Sequence, residues 1–255
     1  MSREKLVIRD NSSLQAHYGL LQAGDIVLGR LRLRETEESL LLDLCERGVY
    51  LIPSGLAQLS SRSKTLQAVL FAPFMLPHTR AIHSHHDLIA AISDYQKEAV
   101  TAVVTKLDRR NAGMGVHLWQ FIEDVYTHAT LGNIPYPFVL QPFIEDCRDI
   151  RVIFLDDYIE AYQRHNPYNF RNNLHQGGTS QACGLTDEQI NLCRNVMKRG
   201  RFPYGHIDII MTKEGKSYLA EINLRGGIRG ARISPAEYQA RVDAIHQQML
   251  DKYET

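Results

Sequence analysis

Three side chains in the last third of the sequence carry oxygen atoms at a spacing suited to binding a divalent cation. Asp208 lies in the apolar run HIDIIM, and Glu221 and Asn223 lie in the run YLAEIN, with Glu214-Gly215 between the two runs. This pattern predicts a β-hairpin, in which alternate residues of a strand share one face and facing residues are neighbours. Two carboxylates and an amide oxygen would then converge, as Mg²⁺ bridging nucleotide phosphates requires.

The alternative for these three residues is an exposed sheet face, on which acidic side chains are common. Spacing alone does not separate the two interpretations. The neighbouring residues are apolar, however, and a charged side chain inside such a strand needs a partner because burying it alone is costly. The flanking sequence therefore favours the metal site.

A polar segment, NFRNNLHQGG at 169–178, joins a cation, amide side chains and a Gly-Gly pair. Arg171 can hold a phosphate with its guanidinium fork, and Asn173 can reach a phosphate or a metal. An ordinary polar loop is the more frequent meaning of such a composition. Arg151 and Arg164 precede it in a predicted hairpin, where lone arginines are usually surface or ion-pair residues.

A third segment, VVTKLDRRNAGMGV, places Lys106 at the end of a β-prone run and Gly113 and Gly115 in the loop that follows. The ammonium group and the backbone N–H groups of such a loop can contact phosphates. The loop is not a P-loop, and GMG lacks the third glycine and the acid of a dinucleotide-binding fingerprint. Taken alone, it reads by default as a glycine-containing turn between strands.

Three regions must position these side chains. Alternating strands and helices predict small α/β units over residues 1–60 and 61–137, and hairpins with flanking helices predict an antiparallel sheet over 138–255. The predicted helices are at 12–23, 37–47, 63–72, 84–98, 117–130, 186–199 and 234–253, and the predicted strands or hairpins are at 5–10, 24–30, 49–53, 101–106, 138–144, 149–164 and 206–223. Thr36 is the predicted cap of the second helix, and Trp119, Phe121 and Tyr126 are predicted core residues.

The composition sets the broad class. The chain has 255 residues, is 44% hydrophobic and 23% charged, and has a formal net charge of zero, so it lacks the basic excess of a nucleic-acid-binding protein. No apolar run is long enough to span a bilayer, and no secretory signal is evident. The four cysteines are scattered, without a Cys-x-x-Cys pair. We therefore expect a cytoplasmic protein with reduced thiols that binds neither nucleic acid nor membranes.

Taken in order, the segments resemble the ATP-grasp superfamily, and they look most like the RimK-type ligases, which add amino acids such as glutamate to a peptide or protein carboxyl end. The resemblance runs from about Ser63 to Gly230. Its carriers are SRSK, VVTKLDRRNAGMGV, VLQPFIEDCRDIRVIF, EAYQRHNPYNFRNNLHQGG, GHIDII and AEINLRGGIRG. It implies an α/β (α+β) ATP-grasp fold, with a small N-terminal unit at 1–60, a lid unit at 61–137 and a metal-binding unit at 138–255.

The resemblance also implies roles by position. Two lysines would contact the ATP phosphates, the glycine loop would be a mobile flap, a hinge at 141–144 would bond the adenine edge through its backbone, and a polar segment would face the transferred phosphate. The residues matched to nucleotide binding are Lys64, Lys106, Gly113, Gly115, Gln141, Pro142, Phe143, Ile144, Asp149, Arg171, Asn172 and Asn173. Those matched to the magnesium ligands are Asp208, Glu221 and Asn223.

The implied activity is an ATP-dependent carboxylate–amine ligase that forms an amide through an acyl phosphate and needs ATP and Mg²⁺, with Mn²⁺ as an alternative. Lys106, Arg151 and Arg171 would stabilise the transferring phosphoryl group. A surplus of arginines near the site indicates anionic substrates, either small molecules or peptides. The predicted substrate-binding residues are Arg164, Arg225 and Arg229. An ATP-grasp kinase and a non-catalytic nucleotide-binding module are the alternatives; the oligomeric state is open, with a homodimer or homotetramer considered.

Two features depart from the RimK-type pattern. The family usually follows the metal-binding asparagine with Pro-Gly, whereas here Asn223 is followed by Leu-Arg-Gly-Gly, at the end of the site that faces the acceptor. The segment between Gln141 and Asp149 is also slightly shorter. Gly226-Gly227 leaves the chain free to adopt positive φ and to approach a ligand closely, and we expect Arg225 or Arg229 to pair with a substrate carboxylate. The alternative is that both arginines face solvent or pair with structural acids, as most arginines do.

Overall fold

A computed structural model describes residues 3–110, 113–172, 174 and 177–254 of the chain. Its strands are β1 Val7–Ile8, β2 Ile26–Leu28, β3 Tyr50–Ile52, β4 Arg80–Ile82, β5 Val103–Leu107, β6 Val116–Trp119, β7 Phe138–Pro142, β8 Arg148–Leu155, β9 Tyr158–His165, β10 Thr179–Ala182, β11 Tyr204–Met211 and β12 Ser217–Asn223. Its α-helices are α1 Asn11–His17, α2 Ser39–Glu46, α3 Gly55–Ser60, α4 Lys64–Leu70, α5 His85–Lys97, α6 Ile122–Thr130, α7 Asp187–Gly200 and α8 Pro235–Glu254.

The described strands form three sheets. A small parallel sheet has the order β1-β2-β3, a four-stranded central sheet has the order β4-β7-β5-β6, and a five-stranded C-terminal sheet has the order β10-β9-β8-β11-β12. All pairings in the two larger sheets are antiparallel. The predicted α/β N-terminal unit and the predicted antiparallel C-terminal sheet are therefore present.

The central sheet differs from the predicted elements at two places, because long-range strand pairing overrides the local pattern. β7 was assigned to the C-terminal unit, but it pairs with β4 and β5, so the central sheet continues past the predicted boundary at 137. The predicted helix at 117–130 begins as strand β6, whose Trp119 lies opposite Val103, and becomes helical only at Ile122. At residues 116–119, backbone pairing with β5 therefore outweighs the helical spacing of the apolar side chains. Phe121, predicted in the core, is 63% exposed. The unit boundaries stay a prediction.

Two smaller differences concern the ends of elements. A 3₁₀ turn at Glu35–Glu37 precedes α2, so Thr36 is not its cap and the helix begins at Ser39. Strand β10 was not predicted, because its residues Thr-Ser-Gln-Ala are polar and all exposed, and only its pairing with β9 defines it. Helices α5 and α7, both predicted, begin with capping boxes, formed by Ser84 with Asp87 and by Thr186 with Gln189.

The main hydrophobic core lies between the C-terminal sheet and the helices packed on it. Ala57 of α3, Ala68 of α4 and Phe71 after it belong to this core together with Ile207 and Ile222 of the sheet. The N-terminal sheet is attached through α8, whose Leu250 packs with Ile26, Leu28 and Ile52. The cleft described below lies among units held by these contacts. None of the helices in the described residues is long and apolar enough to cross a membrane.

A buried carboxylate holds the chain segment that leaves β12. Glu160 of β9 is 2% exposed and accepts hydrogen bonds from the backbone N–H groups of Arg232 (2.6 Å) and Ile233 (3.2 Å) and from the hydroxyl of Tyr158 (2.7 Å). Burial alone would raise the pKa of Glu160, but these donors together outweigh it and lower the pKa below its ordinary value. The ionised carboxylate therefore stabilises the folded state.

We predict that Glu160→Gln lowers the free energy of unfolding by about 1–3 kcal/mol near neutral pH, because an amide nitrogen cannot accept from a buried N–H. The exposed Glu145→Gln is the control and should change little. The contribution of Glu160 is present above the ordinary glutamate pKa of about 4.3 and is lost as pH falls through the lower folded-state value. Urea unfolding should show the gap between wild type and Glu160→Gln shrinking in acid; a constant gap would contradict this account.

Candidate active site

A cleft of about 1020 Å³ lies between the central and C-terminal sheets. Of the predicted site residues that the structure describes, all except Gly115 line this cleft; Asn173 lies outside the described residues. The chain as a whole is neutral, yet in the described part of the cleft wall twelve cationic residues face five carboxylates. The cations are Arg30, Arg32, Arg62, Lys64, Lys106, Arg109, Arg110, Arg151, Arg164, Arg171, Arg225 and Arg229, and the acids are Glu35, Glu38, Asp149, Asp208 and Glu221.

The three predicted metal ligands share one face because of a β-bulge. Near the turn, Ile209 pairs with Leu219, and this register continued would put Asp208 opposite Ala220. The register instead shifts between Asp208 and Ile209, so Asp208 lies opposite Glu221 and Ala220 is the extra residue. Because facing residues of an antiparallel pair point to the same side, the bulge brings Glu221, and Asn223 two residues on, to the face of Asp208.

The donor types on this face fit Mg²⁺, although Arg151 also contacts both carboxylate oxygens of Asp208, which would have to accept the ion through their second lone pairs. Asn223 donates its amide N–H to Glu221 Oε1 at 2.9 Å, which leaves the Asn223 amide oxygen as a potential ligand. In the described residues no group of three or more His, Cys, Asp and Glu side chains could hold a metal by itself. A site with two carboxylates and one amide oxygen matches an ion that takes its remaining ligands from nucleotide phosphates and water.

Asp208 also belongs to a ladder of alternating charges across three strands. Arg151 of β8, opposite Asp208, donates Nε and Nη2 to the two carboxylate oxygens, each at 2.8 Å. Arg164 of β9, opposite Asp149, donates to that carboxylate at 2.9 and 2.5 Å and lies 3.0 Å from Asp208. Two arginines thus neutralise two aspartates on one face, of which Arg164 and Asp208 are buried and Arg151 and Asp149 half-buried.

The ladder sets the charge state of both acids. Burial alone would raise the pKa of Asp208, but Arg151 and Arg164 outweigh it and lower that pKa. For Asp149, burial dominates over the opposing effect of Arg164 and raises its pKa. Arg164, predicted to bind substrate, is 5% exposed and already paired with both acids, so it supports the cleft floor through the ladder.

The two predicted phosphate-binding lysines converge on the metal-ligand strand. Lys64 is the first residue of α4, and its ammonium lies 3.7 Å from Glu221 Oε1 and donates to the Arg110 carbonyl at 2.5 Å. Lys106 donates to the carbonyl of Ala220, the bulged residue, at 3.4 Å. Burial lowers the pKa of Lys106, and the Glu221 charge opposes that shift.

The position of Lys64 follows from how α4 meets β12. Gln67, one turn into the helix, accepts from the N–H of Ile222 at 3.0 Å and donates to its carbonyl at 2.8 Å. Ile222 lies between Glu221 and Asn223, so a helix side chain acts as a further strand partner at this point. Ser63 caps the helix by accepting from Leu66 N–H at 3.0 Å. The capped helix start therefore presents Lys64 to Glu221.

The structure narrows the predicted adenine hinge at 141–144 to one residue whose backbone N–H could bond a ligand. Gln141 pairs with Val104 in the central sheet, Pro142 has no N–H, and the N–H of Phe143 donates to the Ala102 carbonyl at 2.9 Å. Ile144 is left as the hinge residue whose N–H has no sheet partner in the hydrogen bonds of the described chain. The ring of Phe170, which was not predicted, lies edge-on to Phe143 at 6.2 Å between centroids.

Two side chains of the polar segment after β9, those of Arg171 and Asn172, bond the segment to backbone groups outside it. Arg171 donates Nε to the Val116 carbonyl at 2.9 Å, and its guanidinium lies 4.3 Å from the centre of the Phe170 ring. Burial lowers the pKa of Arg171. Asn172 accepts from the N–H of Asn166 at 3.0 Å. Arg171 thereby connects this segment to β6, the strand that follows the glycine loop.

The glycines of that loop differ in their roles. Gly113 lines the cleft with φ +74°. Gly115, with φ +84°, accepts from the Leu107 N–H at 2.8 Å, and a Cβ there would lie 2.9 Å from the Leu107 side chain. Gly115 is therefore needed for the turn and does not face the cleft. Backbone with positive φ favours glycine at both positions.

The N-terminal unit contributes a cleft wall that sequence reasoning missed. The segment GRLRLRETEE at 29–38 supplies two arginines and two glutamates to the cleft. Arg109 of the central unit pairs with Glu38 and lies 3.5 Å from Glu35, which joins the two units across the cleft rim. The many charged residues of this segment were the available sequence signal for a functional role, but they do not indicate that the segment faces the cleft.

The loop after Asn223 is fixed at its base. Leu224 N–H donates to Ser61 Oγ at 2.9 Å, and Arg151 reaches the Gly227 carbonyl at 3.4 Å. Neither Gly226 nor Gly227 uses the positive φ that glycine allows. Glycine is required at 226 by close approach to the protein, since a Cβ would lie 2.8 Å from the His206 ring.

The fold and the cleft agree with comparisons to known proteins. A family model described as the RimK-like ATP-grasp domain matches residues 60–244. The chain therefore belongs to the RimK-like ATP-grasp family. The family and the fold class predicted from the sequence are confirmed.

Individual relatives are more distant. A probable alpha-L-glutamate ligase of Coxiella burnetii (strain Dugway 5J108-111) is 27% identical over 191 residues, covering 72% of this chain and 62% of the relative. This chain thus spans less than two thirds of that curated relative. The D-cycloserine synthetase DcsG has a TM-score of 0.62 at 16% identity, covering 96% of this chain and 99% of that one.

A third neighbour is the ATP-grasp ligase PsnB, solved with a phosphomimetic variant of a minimal precursor, Mg and ADP. Its TM-score is 0.57 at 20% identity, and the match covers 84% of this chain and 68% of that one. At these identities, the likeness to the two solved structures shows the fold.

The contact between Gly226 and His206 gives a prediction for the loop. Gly226→Ala would force a Cβ against a ring that is 1% exposed, so we expect a loss of about 1–3 kcal/mol in the free energy of unfolding. Gly184→Ala is the matched control, because a Cβ at Gly184 meets nothing within 4 Å. Equal stability of the two variants in urea unfolding would show that the loop yields freely.

Proposed function

We propose that this protein is an ATP-dependent carboxylate–amine ligase, which activates a carboxylate as an acyl phosphate and couples it to an amine with release of ADP and phosphate. The observation that carries the proposal is the convergence of Lys64, Lys106 and the oxygen donors of Asp208, Glu221 and Asn223 in one cleft of a RimK-like ATP-grasp chain. Membership of the family alone would not require these five groups to meet.

The nucleotide is proposed to lie along the cleft from the hinge to the metal ligands. Phe143 and Ile144 would contact the adenine, with Ile144 N–H as the backbone donor, and Lys64 and Lys106 would contact the phosphates. Asp208, Glu221 and Asn223 would hold Mg²⁺. When bound, this ion offsets the negative charge of the phosphates and of the phosphoryl group in transfer.

The chain's own cations complete the proposed electrostatics. Lys106, half-buried and bonded to the Ala220 carbonyl, and Arg171, bonded to the Val116 carbonyl at the end of the glycine loop, would stabilise the transferring phosphoryl group. Arg151 is kept in place by its two bonds to Asp208, and its remaining nitrogen points to the Gly227 carbonyl at the substrate loop. Closure of the glycine loop would exclude water, which otherwise hydrolyses an acyl phosphate.

Substrate recognition is assigned to the loop after the metal ligands. Arg225 and Arg229 are exposed in the cleft, and no hydrogen bond or ion pair of the described chain involves either guanidinium. The curated relatives are named as glutamate ligases, which makes glutamate and peptide carboxylates the first candidates to test. Arg164, bound within the charge ladder, would act on substrate only through Arg151 and Asp208.

The test of this function is ADP release that depends on both substrates. We expect release from Mg·ATP to need a carboxylate together with an amine, supplied from panels of amino acids and short peptides. Glu221→Ala should reduce it to background, because a metal ligand is lost. Glu214→Ala, in the exposed turn of the same hairpin, should behave as wild type.

Other outcomes would reassign the activity. ADP release that needs a phosphate acceptor but no amine would indicate a kinase. Nucleotide binding without turnover on any substrate pair would indicate a binding module. Full activity of Glu221→Ala at saturating Mg²⁺ would remove Glu221 from the metal site. Circular dichroism of each variant separates loss of function from loss of fold.

A second prediction concerns the substrate loop. Arg225→Ala and Arg229→Ala should each raise the KM for an anionic substrate roughly ten-fold or more, since a charge-assisted contact contributes about 1.5–3 kcal/mol. The KM for ATP should change little, because neither residue is placed on the nucleotide. If both variants keep the wild-type KM for the carboxylate and for the amine, specificity lies elsewhere in the cleft.

A further inference from the structure

The carboxylate of Asp108 bonds to both chain neighbours of Lys64. Asp108 is the first residue after β5, and its side chain is 8% exposed. Its Oδ1 accepts from the Thr65 N–H at 3.0 Å, and the Ser63 hydroxyl donates to the carboxylate, lying 3.1 Å from Oδ1 and 3.2 Å from Oδ2. Ser63 and Thr65 flank Lys64, so one carboxylate fixes the chain on both sides of this lysine.

The segment that carries Asp108 also holds the ammonium group of Lys64. The carbonyl of Arg110, two residues after Asp108, accepts from Lys64 Nζ at 2.5 Å. Lys64 is buried, and its ammonium lies 3.7 Å from Glu221. Both the backbone and the side chain of Lys64 are therefore attached to the short segment that follows Lys106, the second lysine of the cleft.

Asp108 is itself held by a cation that reaches the N-terminal unit. Arg109 donates Nη1 to Asp108 and Nη2 to Glu38, the residue before α2, and its Nε lies 3.5 Å from Glu35. Burial alone would lower the pKa of Arg109, but these carboxylates outweigh it and raise that pKa. The Asp108 side chain therefore cannot turn away from α4 without giving up its ion pair with Arg109.

We infer that Asp108 is a positioning residue for Lys64, the lysine assigned to the nucleotide phosphates, and that Arg109 keeps the Asp108 carboxylate in place. The phosphate-binding role of Lys64 rests on the proposed function; its attachment to Asp108 does not. Asp108 does not line the cleft, so it acts only through Lys64. A long lysine side chain that is fixed at both ends before a ligand arrives meets a smaller ordering cost on binding.

A first test needs no nucleotide. Acetic anhydride acetylates free amines, and mass spectrometry measures the rate at each lysine, with the 73% exposed Lys97 as internal reference. Asp108→Ala should raise the acetylation rate of Lys64 relative to Lys97 roughly ten-fold, because the lysine is released from the Arg110 carbonyl and from its buried setting. An unchanged relative rate overturns the positioning role.

Asp87→Ala is the matched control for this test. Asp87 also holds the start of a helix, since its carboxylate accepts from the N–H groups of His83 and Ser84, each at 2.9 Å, before α5. It does not line the cleft. Asp87→Ala removes a helix-capping carboxylate from another helix and should leave the acetylation rate of Lys64 unchanged. A rise as large as that of Asp108→Ala would show general loosening and overturn the positioning role.

Asp108→Asn is the second variant, for use where the alanine variant does not fold. It keeps an oxygen that can accept from the Thr65 N–H, but it loses the charge that pairs with Arg109. We expect a rate of Lys64 acetylation between those of wild type and Asp108→Ala. A wild-type rate in Asp108→Asn would remove Arg109 from the proposal.

A second test asks whether Asp108 acts through Lys64. In calorimetric titrations with Mg²⁺ and the non-hydrolysable nucleotide AMPPNP, Asp108→Ala and Lys64→Ala should each weaken binding roughly ten-fold. The double variant should bind no more weakly than Lys64→Ala, because no ammonium is left to position. Additive losses would indicate a general structural role and overturn the inference.

The two proposals fail in different ways. If AMPPNP does not bind to wild type, the ligase proposal loses its nucleotide, and the acetylation rates still decide whether Asp108 holds Lys64. If AMPPNP binds equally well to wild type and to Asp108→Ala, the positioning role is wrong and the ligase proposal stands.

Discussion

One extra residue in β12 determines which face of the C-terminal sheet can do chemistry. Side chains alternate along a strand, so the register near the hairpin turn would send Glu221 and Asn223 to the side opposite Asp208. The bulge at Ala220 reverses that assignment for the end of the strand. The bulged residue, Ala220, also presents its carbonyl to the ammonium of Lys106. The oxygen donors and a cation from the central sheet are thus brought together by the same local irregularity.

The face selected by the bulge holds charged side chains that are partly removed from water, which costs free energy. The ladder of Arg151, Asp208, Arg164 and Asp149 offsets that cost by pairing opposite charges. Each charge has an opposite charge directly across or diagonal to it, and the group is neutral as a whole. Isolated burial of any member would be strongly unfavourable. The neutral floor contrasts with the cationic walls above it, so the attraction for anions is concentrated where ligands enter.

Much of this site could be predicted from sequence because the informative residues are close along the chain or follow a strand's alternation. The hairpin turning at Glu214-Gly215, the capped helix ends and the partners of Asp208 on β12 are of this kind. The bulge that sets their register has no sequence signal, and the placement of β7 in the central sheet depends on pairing with strands far away in sequence. Arg30 was missed because nothing local indicates that the N-terminal unit reaches the cleft.

The bonds between Gln67 and Ile222 have a consequence for the protein in concentrated solution. β12 is an edge of its sheet, and an uncovered edge offers its backbone groups to strands of other molecules. Here both backbone groups of Ile222 are satisfied by one glutamine side chain, and Leu224 N–H is satisfied by Ser61. A strand from a neighbouring copy would find no free register at this place. The helix that presents a lysine to the cleft thereby also guards the sheet against strand addition and fibrous self-association.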